Sequence, residues 1–315
     1  MKEVFLGEVI KQRRIELKLT QEQLCEGICE PITISRMENG KQTPSRNHIN
    51  AILQRLGLPD DRYYALLSKN EMEIEALKKE ILACEIRFER ARAEERLCAR
   101  ESALHKLFEL EKIMDDNDRI TRQYILSIKA ALGKEDGPYT FTEKLELLLE
   151  AIQLTVPRFN LDEINNLLYS IDETRLINQI AVTYSSAGKH EKAIEIYNQL
   201  LNYIQKHDQY LAQYAGHLSL VAHNYSRELG LCKRYEDALE VAELGKKTCI
   251  EYAHYQFLPG FLAIMAECKF FLHDLDQSSK LYCQAHYIYA AIGDEHNLQI
   301  IDNEIKTRLN LKLMF

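Results

Sequence analysis

Apolar and polar positions alternate along the chain with helical spacing. In "VFLGEVIKQRRIELKL", residues 4–19, Phe5, Leu6, Val9, Ile10 and Leu17 form one stripe, which predicts a first helix with Lys11, Arg13 and Arg14 outside its core. Thr20 with Gln23 three residues on is a capping box, so a second helix starts at Gln21, buries Leu24 and draws Ile28 inward; Gly27 marks its end. Pro31 suits a first helical position, because the amide hydrogen it lacks would be unbonded there. A third helix therefore runs over 31–38 and stops at Asn39-Gly40. The fourth opens with a Thr43 cap and Pro44, buries Ile49, Ile52, Leu53 and Leu56, and closes at Gly57 and Pro59.

From 71 to 100 the periodicity continues with charges on most faces. Apolar positions 74, 77, 81, 82, 86 and 88 hold no clean heptad, so this stretch reads as a solvated connecting helix. Beyond it, "NQIAVTYSSAGKHEKAIEIY" (178–197), "NYSRELGLCKRYEDALEVA" (224–242) and "AIMAECKFFLHDLDQSSKLY" (263–282) align on a small residue, a turn and a second small residue. The anchors Ala193, Ala238 and Ser278 lie 45 and 40 residues apart. These segments resemble tetratricopeptide repeats (TPR), whose small residues let paired helices approach closely. "RITRQYILSIKAALG" and "TEKLELLLEAIQLTV" read as more degenerate pairs, and "NLQIIDNEIKTRLNLKLM" as a closing helix. The expected fold is all-α: a helix-turn-helix domain at 1–68, a helical linker at 69–100, and a right-handed TPR-like α-solenoid of about five helical pairs at 101–315.

Composition agrees with helices, at 46% hydrophobic and 28% charged residues with only 12 Gly and 6 Pro. No run of about 18 uncharged apolar residues occurs and the first residues lack a signal-peptide h-region, so the expected location is the cytoplasm, with no membrane contact. The eight cysteines lack the paired spacing of zinc sites and read as reduced structural thiols; no metal and no cofactor is expected. Net charge is −8, but residues 1–58 carry nine Lys/Arg against seven Glu, +2 in all, and the remainder −10. A mildly basic head on an acidic body implies divided roles. The sequence has no P-loop, HExxH or GxSxG and no carboxylate or Cys/His grouping with a defensible spacing, which argues against an enzyme.

At about 100° per residue, Ile34 and Met37 mark the buried side of the third helix, with Ile32, Ser35, Arg36 and Asn39 opposite and Thr33 at the edge. A short helix with such an outer face, braced by a second, fits a DNA major groove. Arg36 suits guanine O6 and N7, Thr33 or Ile32 a thymine methyl, and Lys41, Ser45 and Arg46 the phosphates. "TQEQL", "ISRMENG" and "TPS" resemble the lambda-repressor-like (XRE) DNA-binding domain over residues 5–67. That resemblance implies that Gln21 meets a phosphate and that the third helix reads bases.

The repeat register turns Arg175, Asn178 and Val182, then His223, Asn224 and Arg227, then Glu267 and Phe270 toward a concave groove. Asn178 and Asn224 stand out, each able to grip an extended peptide backbone as donor and acceptor. Tyr184, Tyr197, Tyr235 and Tyr282 fall at consensus aromatic positions, where interhelical core is the expected role. An XRE head on such a body resembles the peptide-pheromone regulators of Gram-positive bacteria, the PlcR/PrgX/Rgg-type (RRNPP) group. The resemblance implies a homodimer that binds a double-stranded DNA operator and responds to a short signalling peptide. The alternative is a ligand-independent regulator whose repeats serve assembly or bind a protein partner.

Overall fold

The computed structural model describes residues 6–42, 45–58, 69–90, 93–134, 137–207 and 211–309, leaving aside the side chains of 46, 69–72, 89–90, 93–94, 207 and 211–214. Fifteen α-helices and no strand occur among them. The chain divides into two compact units, residues 1–180 and 181–315.

In the first unit, α1 (Leu6–Glu16), α2 (Gln21–Cys25), α3 (Pro31–Glu38) and α4 (Arg46–Arg55) form the head. The signals for α2 and α3 act as expected: Thr20 and Gln23 close both bonds of the capping box, Pro31 opens α3, and Asn39 caps it ahead of Gly40 at φ +67. Helix α4 departs from expectation. Its cap is Ser45, whose hydroxyl accepts from the His48 amide at 3.4 Å; Thr43, Pro44, Phe5 and Pro59 lie outside the described residues. Ile10, Leu24, Ile28, Ile34, Met37, Ile49, Ile52, Leu53 and Leu56 close into one core, with Ile120 from further along the chain packed against it.

The connecting helix is not solvated. Helices α5 (Lys69–Arg90) and α6 (Ala93–Ile113) pack on each other, and α6 packs on α7 (Arg119–Leu132). Their core holds Ile74, Ile81, Cys84, Ala103, Leu107, Leu110, Ile125 and Ile128, with Leu77 and Phe88 at its edge. Positions 74, 77, 81, 84 and 88 are a regular heptad stripe once Cys84 counts as apolar. The exposed Leu82 and Ile86 hid it. Helix α7 pairs with α8 (Phe141–Thr155), which a second capping box, Thr140 with Glu143, begins. A 3-10 turn at Ile164–Asn166 precedes α9 (Ile171–Ser186), which runs from the first unit into the second.

The second unit continues with α10 (His190–His207), α11 (Leu211–Leu231), α12 (Tyr235–Glu251), α13 (Leu258–Phe271), α14 (Leu275–Ile292) and α15 (Glu295–Leu309). From α10 on, each helix packs on the next. The three anchors, Ala193, Ala238 and Ser278, are all fully buried. Tyr197 and Tyr282 are core as expected, while Tyr235 stacks on Phe271 with ring centroids 4.8 Å apart.

The repeats also share one turn, which the sequence did not disclose. Gly188, Lys233 and His273 all take a left-handed φ, at 73, 63 and 64. Each amide bonds the carbonyl three residues back, and the next amide reaches five back, from Lys189 to Tyr184, Arg234 to Leu229 and Asp274 to Lys269. This is the Schellman ending, in which glycine is the unstrained residue. Lys233→Gly and His273→Gly, both at exposed positions, should therefore each raise stability by about 0.5–1 kcal/mol, read as a shift in urea midpoint at constant slope.

Candidate nucleic-acid interface and repeat surfaces

The outer face of α3 is open. Ile32 is 59% exposed, Arg36 and Asn39 are exposed, and Thr33 and Ser35 are half-buried. Asn39 Nδ2 donates to the Ser35 carbonyl at 2.6 Å, tying off the helix end. Lys41 and Ser45 are exposed beyond that turn, and the Arg46 side chain lies outside the described residues.

Beneath this face sits an ion pair that the sequence concealed, because Arg13 and Arg14 are not left outside. Arg14 Nε and Nη2 donate to the Glu38 carboxylate at 2.6 and 2.9 Å, and Arg14 Nη1 to the Leu19 carbonyl at 2.8 Å. Arg13 Nε donates to the Leu56 carbonyl at 3.1 Å. The clue was Glu38 itself, an anion in the last turn of a helix, where the macrodipole disfavours it unless a cation answers. Gln21, expected at a phosphate, has its Nε2 on Glu38 Oε2 at 2.8 Å. Glu38 thus pins the first turn of α2 to the end of α3.

Burial alone would raise the Glu38 pKa. Hydrogen bonds from Arg14 and Gln21, with the charges of Arg14 and Lys11, outweigh it and hold the carboxyl below its ordinary 4.5. A depressed folded-state pKa stabilises the fold fully above pH 4.5, and that stabilisation is lost as pH falls through the depressed value. Glu38→Gln should cost about 1.5–3 kcal/mol at pH 7. The deficit relative to wild type should shrink below pH 4.5, as measured by denaturant unfolding across pH.

The head also joins the rest of the first unit through Arg55. Its side chain, 3% exposed, donates from Nη1 to the Leu24 and Glu26 carbonyls at 3.2 and 2.7 Å, and from Nη2 to the Thr155 carbonyl and Glu173 Oε1, both at 3.0 Å. Arg158 grips Glu26 with two bonds, at 2.8 and 2.5 Å, and Gln54 Oε1 accepts the Ile171 amide at 3.2 Å. A cavity of about 80 Å³ opens alongside, between Leu19 and Gln23 on one wall and Val156 and Leu167 on the other.

Of the repeat-surface candidates in the first unit, Arg175 is exposed and paired with Asp172 at 3.1 Å, and Asn178 is buried. In the second unit, Val182, Arg227 and Glu267 each stand six residues before the left-handed turn residue, so they are true counterparts. By the same count Asn178 matches His223, ten before the turn, and Asn224 matches Gln179.

His223 packs beside Phe261, ring centroids 5.6 Å apart. Burial lowers its pKa, a hydrogen bond with Asn224 opposes this, and the Arg227 charge lowers it further, leaving it below 6.5. Arg227 itself is exposed. Glu267 and Phe270 are engaged by α15: Arg308 Nη2 donates to Glu267 Oε1 at 2.6 Å, and its guanidinium lies over Phe270 at 5.9 Å. Half-buried Cys29 and buried Cys268 read as structural: desolvation pushes both thiols up to about 12.

A helix-turn-helix family model (HTH_3) matches residues 10–62, and the model of the RNPP family C-terminal domain matches residues 108–310. The chain belongs to the RNPP family. No curated protein matches the sequence. Among solved structures, PlcR of Bacillus thuringiensis in complex with the peptide PapR7 and DNA superposes with a TM-score of 0.61 at 19% identity, over 95% of this chain and 99% of that one. The apo competence regulator ComR of Streptococcus vestibularis gives 0.54 at 15%, over 96% and 97%. Aspartyl phosphate phosphatase F of Bacillus subtilis gives 0.52 at 12%, over 98% and 82%. At these identities the likeness is one of fold. The all-α fold, with a helix-turn-helix ahead of helical repeats, agrees with the two matched family models, and among the described residues no helix is long and apolar enough to cross a membrane.

Proposed function

We propose that this RNPP protein is a sequence-specific, DNA-binding transcriptional regulator whose repeats bind a short signalling peptide and mediate dimerisation, acting in the cytoplasm without catalysis. Residues 1–68 serve DNA, 69–100 connect, and 101–315 serve peptide and partner subunit. The observation that carries the reading is the open face of α3, with Ile32 and Arg36 exposed above a buried Arg14–Glu38 brace that fixes α3 against α1. In this reading Thr33, Ser35 and Arg36 meet base edges, Gln21, Lys41, Ser45 and Arg46 meet phosphates, and two heads occupy two half-sites about 34 Å apart. PlcR, solved with a peptide and DNA together, supports the pairing of ligands. Peptide candidates are Arg175 and Asn178 in the first unit and Val182, His223, Asn224, Arg227, Glu267 and Phe270 in the second.

The test is selection of duplexes from a random pool by the full chain. Arg36→Ala should lower discrimination at one base step by about 1–3 kcal/mol, whereas Lys41→Ala should weaken all duplexes alike and flatten the salt dependence. Failure to enrich any duplex sinks the reading. A second reading, repeats used for assembly or a protein partner without peptide, is favoured by Arg308, which already occupies Glu267 and Phe270. Screening a random heptapeptide library against the full chain separates the two.

A further inference from the structure

Resting on the regulator reading above, we propose that Glu173 and Arg55 form the relay through which the inner face of α9 and the DNA-facing head sense each other. The juxtaposition lies on a single helix. Glu173 stands in the first turn of α9, where its Oε2 accepts the Ser170 amide at 2.6 Å while the Glu173 amide donates to Ser170 Oγ at 3.3 Å. The other carboxylate oxygen takes Arg55 Nη2 at 3.0 Å. One carboxylate thus caps α9 and holds the head. Arg175 and Asn178 follow two and five residues later, within about 8 Å along the same axis.

The head side is equally direct. Gln54 and Arg55, adjacent on α4, supply the bonds to the α9 amide of Ile171 and to Glu173. The same guanidinium holds the Leu24 and Glu26 carbonyls where α2 ends, just ahead of α3. Glu173 and Arg55 side chains are 2% and 3% exposed, so salt screens the pair little. In such surroundings the attraction falls steeply with separation and each lone charge is costly. A shift of the first turn of α9 therefore either carries the head along or breaks the pair outright, which is the two-arrangement behaviour that coupling between sites requires.

Coupling is reciprocal, so DNA on α3 must be felt at α9. The test uses the full chain and a duplex it has enriched from a random pool, with amide hydrogen exchange read over residues 172–180. The expected result is about a tenfold change in exchange on adding the duplex to wild type. That change should be lost in Arg55→Lys, which keeps the charge but not the fork, and in Glu173→Gln, which keeps shape and capping, while Lys280→Ala, which removes an exposed ion pair with Asp276, responds as wild type. A bound duplex with no change at α9 in wild type, or a change that persists in both relay variants, overturns the relay while leaving the DNA-binding reading intact. If no duplex is enriched, that reading falls and the relay with it.

Discussion

Gly27→Ala should release the head from its seat, with a stability loss well beyond that of the matched control Gly40→Ala. Both glycines sit at left-handed φ, +74 and +67, so both variants incur the backbone strain of an L-residue there, about 1–2 kcal/mol. At Gly40 nothing lies within 4 Å of the added carbon. At Gly27 a Cβ would stand 1.7 Å from the Thr155 carbonyl oxygen, a backbone atom that also accepts from Arg55. No rotamer relieves that overlap, so either the end of α8 or the head must move. Hydrogen exchange over residues 24–28 and 171–175 should rise in Gly27→Ala and remain at the wild-type level in Gly40→Ala. Equal losses in the two variants would mean that the seated arrangement is absent in solution.

Arg55→Met should cost the first unit about 3–5 kcal/mol, the range for removing one partner of a buried ion pair. Methionine fills the volume but takes the Arg55 donors away from the Leu24, Glu26 and Thr155 carbonyls and from Glu173 Oε1, whose charge then stands buried without its cation. Two of the helices concerned, α2 and α8, end there, so their macrodipoles add negative potential at the same spot. Replacing the pair together, Arg55→Met with Glu173→Met, should cost clearly less than the sum of the single changes. A double-mutant cycle by urea denaturation gives the coupling. Additive losses would show that the carbonyls, not the carboxylate, carry the interaction.

Legibility in the sequence followed the range of the interaction. Thr20 with Gln23, Pro31 and Asn39-Gly40 are local signals read within one helical turn, and each element stands where they place it. The repeat anchors were legible because a small residue at a close helix crossing has few alternatives. The α5–α6 hairpin was not, because Cys84 was counted as a thiol rather than as an apolar position and the exposed Leu82 and Ile86 blurred the stripe. Arg14 and Arg55 were beyond reach for another reason. Their partners are 24 and 118 residues away in sequence, and nothing local to an arginine tells whether its charge meets water or a carboxylate. The outer face of α3 followed from periodicity alone, but the brace holding it did not.

That separation of 118 residues also bears on biosynthesis. At a ribosomal pace of about 5–20 residues per second, the first four helices are synthesised roughly 6–24 s before Glu173. Until residue 155 is added Arg55 has neither Thr155 nor Glu173, and of its partners only the Leu24 and Glu26 carbonyls yet exist. The nascent head must therefore hold its shape on its own apolar interior, and the seating step is completed late, by a part of the chain that did not exist when the head first folded.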